Sequence, residues 1–135
     1  MKTDDQSGIL EYQMALADDG SYLRNTVFVD MTNELVERFT EEMIRLSDET
    51  GVLKHFVDVT KVRSTQSATD MYMLTYKGLS TSMPFNTFKV AILKHPDDKS
   101  HDFIETLLIN NGVNGKIFKN ADEALAWLSI NQRNF

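Results

Sequence analysis

The sequence predicts an α/β domain: a mixed, mainly parallel β-sheet that opens with an N-terminal antiparallel hairpin and carries about four helices, in the order ββαβαβαβα. Three stretches carry this expectation. Phe88-Lys89-Val90-Ala91-Ile92-Leu93 is a nearly unbroken apolar run, which suits a central strand covered on both faces. The chain beyond that run alternates in character: a helical pattern, the short Lys116-Ile117-Phe118, then a capped terminal helix from Ala121 to Leu128. At the other end, Leu10, Tyr12, Met14 and Leu16 alternate with Glu11, Gln13 and Ala15, the period of a strand with one buried face.

Residues 1–8 are polar and without period, so a flexible arm is expected there, with one domain over residues 9–132. Ala17-Asp18-Asp19-Gly20-Ser21 supplies the turn chemistry that leads into a second strand, roughly Tyr22 to Val29. Thr32 suits the N-cap of a helix from Asn33 to Thr50, with Leu35, Phe39, Met43 and Leu46 on one stripe and Gly51 closing it. His55 to Val59 reads as the third strand and Thr60 to Gln66 as a polar loop. Ser67 or Thr65 can cap a helix from about Ala68 to Ser82, ended by Pro84. Beyond the central strand, His95-Pro96-Asp97-Asp98 turns into a helix with Phe103, Ile104, Leu107 and Leu108 inward, stopped at Asn111-Gly112. Asn120 and Glu123 have capping-box spacing, and Ala121, Ala124, Leu125 and Leu128 form the last buried stripe.

Composition narrows the function class. The 135 residues are 41% hydrophobic and 25% charged, enough for one core, with a net charge of −6. That charge argues against a general nucleic-acid binder, which needs clustered Lys and Arg; Lys54, Lys61 and Arg63 are only spread around Asp58. Cysteine is absent, which removes disulfides, thiolate metal sites and a Cys nucleophile together. No signal-peptide core and no run long enough to span a bilayer is visible, so a cytoplasmic protein without an integral membrane segment is expected.

Catalytic chemistry finds little support. There is no Gly-x-Ser-x-Gly elbow and no Gly-rich phosphate loop, so neither enzymatic activity nor a cofactor is expected. His95, Asp97, Asp98, His101 and Asp102 are metal-ligating types, but their spacing fits no zinc motif, and capping of the next helix explains the same residues; no metal is expected. Asp18, Asp19, Asp58 and Lys94 suggest a phospho-receiver pocket, yet a strand rather than a helix comes after the acidic pair. The acidic face of the 33–50 helix reads either as a docking surface or as a solvated helix face. The 68–82 helix is apolar beyond a single stripe, with Met71, Tyr72, Met73, Leu74, Tyr76 and Leu79. Either it is more deeply buried than its neighbours, or its Met and Tyr side chains make a partner groove, a homodimer face or a ligand site.

A hairpin feeding a run of βα units, with Val57-Asp58-Val59 closing the third strand, resembles the SpoIIAA-like branch of the STAS superfamily. The ending Lys116-Ile117-Phe118-Lys119-Asn120-Ala121-Asp122-Glu123-Ala124-Leu125-Ala126-Trp127-Leu128 looks like that family's habitual close. The resemblance spans about Ile9 to Ile130 and implies the fold more than an activity. In that superfamily the anti-sigma factor antagonists carry a phosphorylatable Ser at the start of the helix after the third strand, in an Asp-Ser-Ser-Gly type sequence. Counting from Asp58 places Gln66-Ser67-Ala68-Thr69 there: Ser67 matches, the preceding acid and the succeeding Gly do not. Lipid-binding relatives of similar topology also bring an apolar pocket near the second helix into consideration.

The reading that results is a non-enzymatic, STAS-like regulatory module that binds a protein partner and is open to homodimerisation. Asp58 and Thr60 sit at the strand end, and Ser67, with Ser64 or Thr65 as register alternatives, is the candidate phosphorylation switch. The rival is a carrier of a small apolar or lipid ligand, with Met71, Tyr72, Tyr76, Met83 and Phe85 lining its pocket or, in the first reading, making the partner contact.

Overall fold

The computed structural model describes residues 2–4, 10–73 and 87–130. Six strands form one sheet whose spatial order is the chain order: β1 (Lys2–Asp4), β2 (Leu10–Leu16), β3 (Leu23–Val27), β4 (Lys54–Asp58), β5 (Lys89–Leu93) and β6 (Asn114–Phe118). β1, β2 and β3 are antiparallel neighbours, and β3 to β6 run parallel. The helices are α1 (Asn33–Thr50), α2, described over residues 68–73, α3 (Asp102–Asn110) and α4 (Ala121–Ser129). The expected ββαβαβαβα order is present, with β1 added at the edge. Lys2–Asp4 falls in the stretch expected to be an arm, and it pairs with β2 because the outer hydrogen-bonding edge of that strand is otherwise open.

Local chemistry sets the helix ends. The Leu35 amide donates to Thr32 Oγ1 at 3.2 Å, and Gly51 ends α1 in the left-handed region at φ 76°, donating back to the Ser47 carbonyl. The Glu123 amide donates to Asn120 Oδ1 at 3.0 Å to start α4. α3 begins without a side-chain cap, at His101.

The two sheet faces are covered unequally. α1 lays Leu35, Phe39, Met43 and Leu46 over Tyr12, Met14, Val27, Val57, Val90 and Ile92, and Leu108 of α3 extends that core. On the opposite face α4 sets Ala124 and Leu128 on Phe56, Ala91, Leu93 and Phe118. Gly115 of β6 admits α3, since a Cβ there would stand 2.8 Å from Leu108 Cδ1. β5 is buried at all five positions, as its apolar run demands. Several expected core positions lie elsewhere. Leu16 is exposed at the end of β2, Phe103 is exposed on the first turn of α3, and Ala121 is exposed at the start of α4, because strand and helix termini reach past the layer that covers them. β4 also begins and ends one residue earlier than expected, with Val59 still buried beyond it.

Three polar side chains, Asn25, Ser47 and His55, lie inside the α1 core. His55 is fully buried: Asn25 Nδ2 donates to its Nδ1 at 3.0 Å, which leaves Nε2 to carry the proton and donate to Ser47 Oγ at 2.7 Å. Its ring rests on Phe88, centroids 4.9 Å apart. Desolvation pushes its pKa down to about 4. Among the described residues Asn25 Oδ1 has no partner.

Candidate functional site

The carboxyl ends of parallel strands are where open α/β sheets gather loops. Here two meet: residues 59–67 after β4 and residues 94–101 after β5. Asp58 closes its strand with an Asx turn, its Oδ1 accepting from the Thr60 amide at 3.0 Å and the Thr60 hydroxyl at 2.7 Å. Asp58 and Thr60, singled out at the strand end, thus serve each other in shaping the loop.

The first loop is tied down on both sides. Toward the β3–α1 connection, the Arg63 amide donates to Asp30 Oδ1, the Met31 amide to the Arg63 carbonyl, the Thr65 amide to the Met31 carbonyl, and Gln66 Nε2 to Asn33 Oδ1. Toward the second loop, the Ser64 amide donates to Ser100 Oγ at 2.9 Å, and His101 Nε2 donates to the Val62 carbonyl at 3.0 Å. Asp98 is the strut between them. Its Oδ1 accepts from the Ser100 amide at 2.8 Å and lies 3.3 Å from an Arg63 guanidinium nitrogen, while Oδ2 is 3.4 Å from His101 Nε2. Burial works to raise the Asp98 pKa, but the Ser100 hydrogen bonds and then the His101 and Arg63 charges outweigh it and hold the carboxyl below its ordinary value.

An open depression of about 200 Å³ lies between the loops, lined by Thr60, Lys61, Val62 and Arg63 on one side and His95, Asp97 and Asp98 on the other. Beside it, Lys94 is buried and pairs with Asp102 at 2.7 Å. His95, Asp98, Ser100, His101 and Asp102 each have a local partner, and among the described residues no three imidazole or carboxylate groups converge to hold a metal. Lys94 serves α3 and is not grouped with Asp58, Asp18 and Asp19.

Ser67 is the N-cap of α2. The Asp70 amide donates to its Oγ at 3.0 Å, and the Ser67 amide returns to Asp70 Oδ2 at 3.5 Å, the reciprocal pattern of a capping box. Ser67 is exposed. Ser64 and Thr65 are instead engaged in the loop: Ser64 Oγ accepts from the Gln66 amide and the Thr65 hydroxyl donates to the Met31 carbonyl. On α2, Met71 is buried, whereas Tyr72 and Met73 are 51% and 48% exposed. Met71 and Tyr72 therefore face different surroundings, and Tyr76, Met83 and Phe85 lie outside the described residues. The acidic side of α1 is partly neutralised by Arg45, which pairs with Glu42 and Glu49, while Arg38 pairs with Glu11 of β2.

Residues of both loops stand out in the sequence, but nothing there joins the loops to each other. Val62 and His101 are 39 residues apart, and no local pattern announces a bond from a ring nitrogen to a distant carbonyl.

A solved structure shares this arrangement of strands and helices. It is a crystal structure of an uncharacterised protein from the DUF3478 family with a SpoIIAA-like fold, from Shewanella loihica PV-4, with a TM-score of 0.52 and 22% sequence identity over 87% of this chain and 91% of that one. The chain has a SpoIIAA-like fold. No protein-family model and no curated protein matches the chain. In this SpoIIAA-like fold the loop after β4 and the helix it starts are the elements the resemblance pointed to, and Ser67 stands at their junction. Among the described residues no helix is long and apolar enough to cross a membrane.

Proposed function

We propose that the chain is a STAS-like module that acts by binding rather than by catalysis, receiving a protein partner at the carboxyl edge of the sheet through the 60–67 loop and the outer face of α2. The observation that supports this most is the contrast within that surface. The loop is held from two sides by hydrogen bonds to residues 30–33 and to Ser100 and His101, while Tyr72 and Met73 on the adjoining helix stay exposed. A rigid frame lowers the entropy lost on docking, and aromatic and thioether side chains make adaptable apolar contacts.

Phosphorylation of Ser67 is the control that accompanies this reading. A phosphoryl group on Oγ would sit at the amides of the first turn of α2, where the helix dipole favours negative charge, but it would face the Asp70 carboxylate that now caps the Ser67 amide. Ser67→Glu then changes partner binding with the fold intact; equal binding by both forms would remove the switch.

The test is a native mass spectrum of the protein gently purified from its source, with a denatured spectrum of the same sample. A second polypeptide in the native spectrum, or a second copy of this one, supports the binding reading. One phosphate retained on denaturation adds the Ser67 control. A small non-covalent mass lost on denaturation would instead favour the ligand carrier.

A further inference from the structure

We infer that the depression between the 60–63 and 95–98 loops is a site for a phosphoryl oxyanion, either the free ion or a group carried on a partner's phosphoserine. The inference rests on the binding reading above and names the chemistry that docks at this edge. Three donors border the depression. Lys61 has no hydrogen bond or ion pair among the described residues. Arg63, its side chain 66% exposed, spends one guanidinium nitrogen on Asp98 and leaves the rest of its fork open. His95 is exposed, and its Nδ1 accepts from the Asp97 amide at 3.1 Å, so a neutral ring presents its proton on Nε2. Lys61, the open part of the Arg63 fork and His95 put three donors on one concavity whose carboxylates are Asp97 and the Arg63-paired Asp98, and that donor set suits a tetrahedral oxyanion, which Arg can meet with two parallel bonds.

The acids nearby do not reverse this. Both oxygens of Asp98 are turned to Ser100, Arg63 and His101, so it positions the frame rather than facing a ligand. Asp97 is the one carboxylate of the lining outside that frame, and alone it cannot hold a cation against Lys61 and Arg63. The donors come from two loops already joined through Ser64–Ser100 and Val62–His101, so the backbone positions that carry them are set before any ligand arrives.

The experiment is a titration of the 15N-labelled full chain with sodium phosphate at constant ionic strength, monitored at the backbone amides. The expected result is saturating shifts confined to residues 60–63 and 95–98, with half-saturation at about 1 mM, as a few charge-assisted bonds in an open site allow. Lys61→Ala weakens binding about tenfold, Asp97→Asn strengthens it about threefold, and Lys99→Ala, which removes an exposed charge outside the lining, changes it less than twofold. A phosphoserine peptide that shifts the same amides at lower concentration assigns the group to a partner, whereas saturation by phosphate alone assigns the free ion. Linear, unsaturating shifts, or equal weakening by Lys61→Ala and Lys99→Ala, would overturn the inference. Partner binding that survives such a failure leaves the proposed function standing.

Discussion

Lys89 opens β5, which lies second from the β6 edge rather than at the centre of the sheet, and Lys94 follows its end; both are buried, at 3% and 5% exposure, yet they are held in opposite ways. At the amino edge, the Lys89 ammonium donates to the Trp127 and Ile130 carbonyls at 2.6 Å each and lies 4.5 Å from the centroid of the Trp127 ring, where the end of α4 presents carbonyl acceptors and the negative end of its dipole. Burial first, and then the charge of Lys54, hold that ammonium below the ordinary lysine range. Lys54 reaches the same helix end, donating to the Ser129 carbonyl at 3.3 Å. At the carboxyl edge, Lys94 pairs with Asp102, whose side chain is 49% exposed. The amino edge consumes its polar groups in docking a helix, while the carboxyl edge keeps charged groups within reach of solvent. One edge builds the fold, and the other is the edge proposed to receive a partner.

Truncating the two lysines in parallel sets the edges directly against each other. Lys89→Met leaves carbonyls at the end of α4 without their charged donor and should cost about 2–4 kcal/mol in urea unfolding, whereas Lys94→Met releases an acid that water can solvate and should cost about 1 kcal/mol. Equal costs would mean that the edges are not different in kind.

Next in size is the acid response of the α1 core. His55 titrates at about 4 in the folded protein against an ordinary 6.5, so the unfolded chain binds its proton more readily between those values. The stability it supports is complete above pH 6.5 and is lost as pH falls toward 4, on the order of 2 kcal/mol between pH 7 and pH 5. The His55→Gln variant should lose that part of the pH slope, measured as the change in urea midpoint between the two pH values. An unchanged slope would place the acid sensitivity elsewhere.

Smaller effects belong to the carboxyl edge. Ser67→Ala removes the α2 cap and should cost about 1 kcal/mol, while Ser67→Asp keeps an acceptor for the Asp70 amide and should cost less than half of that. The thermal midpoints of the two variants separate the capping role from any effect of charge on binding.

The fold was legible where a residue's role is local. Thr32, Gly51 and Asn120 act at helix ends where their own backbone chemistry places them, and the apolar run of β5 declares a strand buried on both faces. Core membership failed at Leu16, Phe103 and Ala121, because period predicts which side a residue faces but not how far the covering layer extends. Lys89 was hidden for a related reason: a lysine inside an apolar run gives no sign of the carbonyls that meet it 38 residues later. At the carboxyl edge Ser67 could be placed by counting from Asp58, since a cap comes at short range after its strand. The meeting of Lys61 and Arg63 with His95 could not, because it depends on Val62 to His101 and Arg63 to Asp98 contacts that only the folded chain creates.

A carboxyl edge that binds a partner without supporting the fold should lose its partner and keep its stability when its exposed side chains are cut back. The Lys61→Ala/Met73→Ala double variant, expressed in the source cell and compared with the wild type by native mass spectrometry and thermal melting, puts both halves of that statement to one test. The expected result is a melting temperature within about 2 °C of the wild type, as surface changes of under about 0.5 kcal/mol produce, together with loss of the partner mass. A partner retained in full, or a variant that melts far below the wild type, would contradict the division of labour between the two edges.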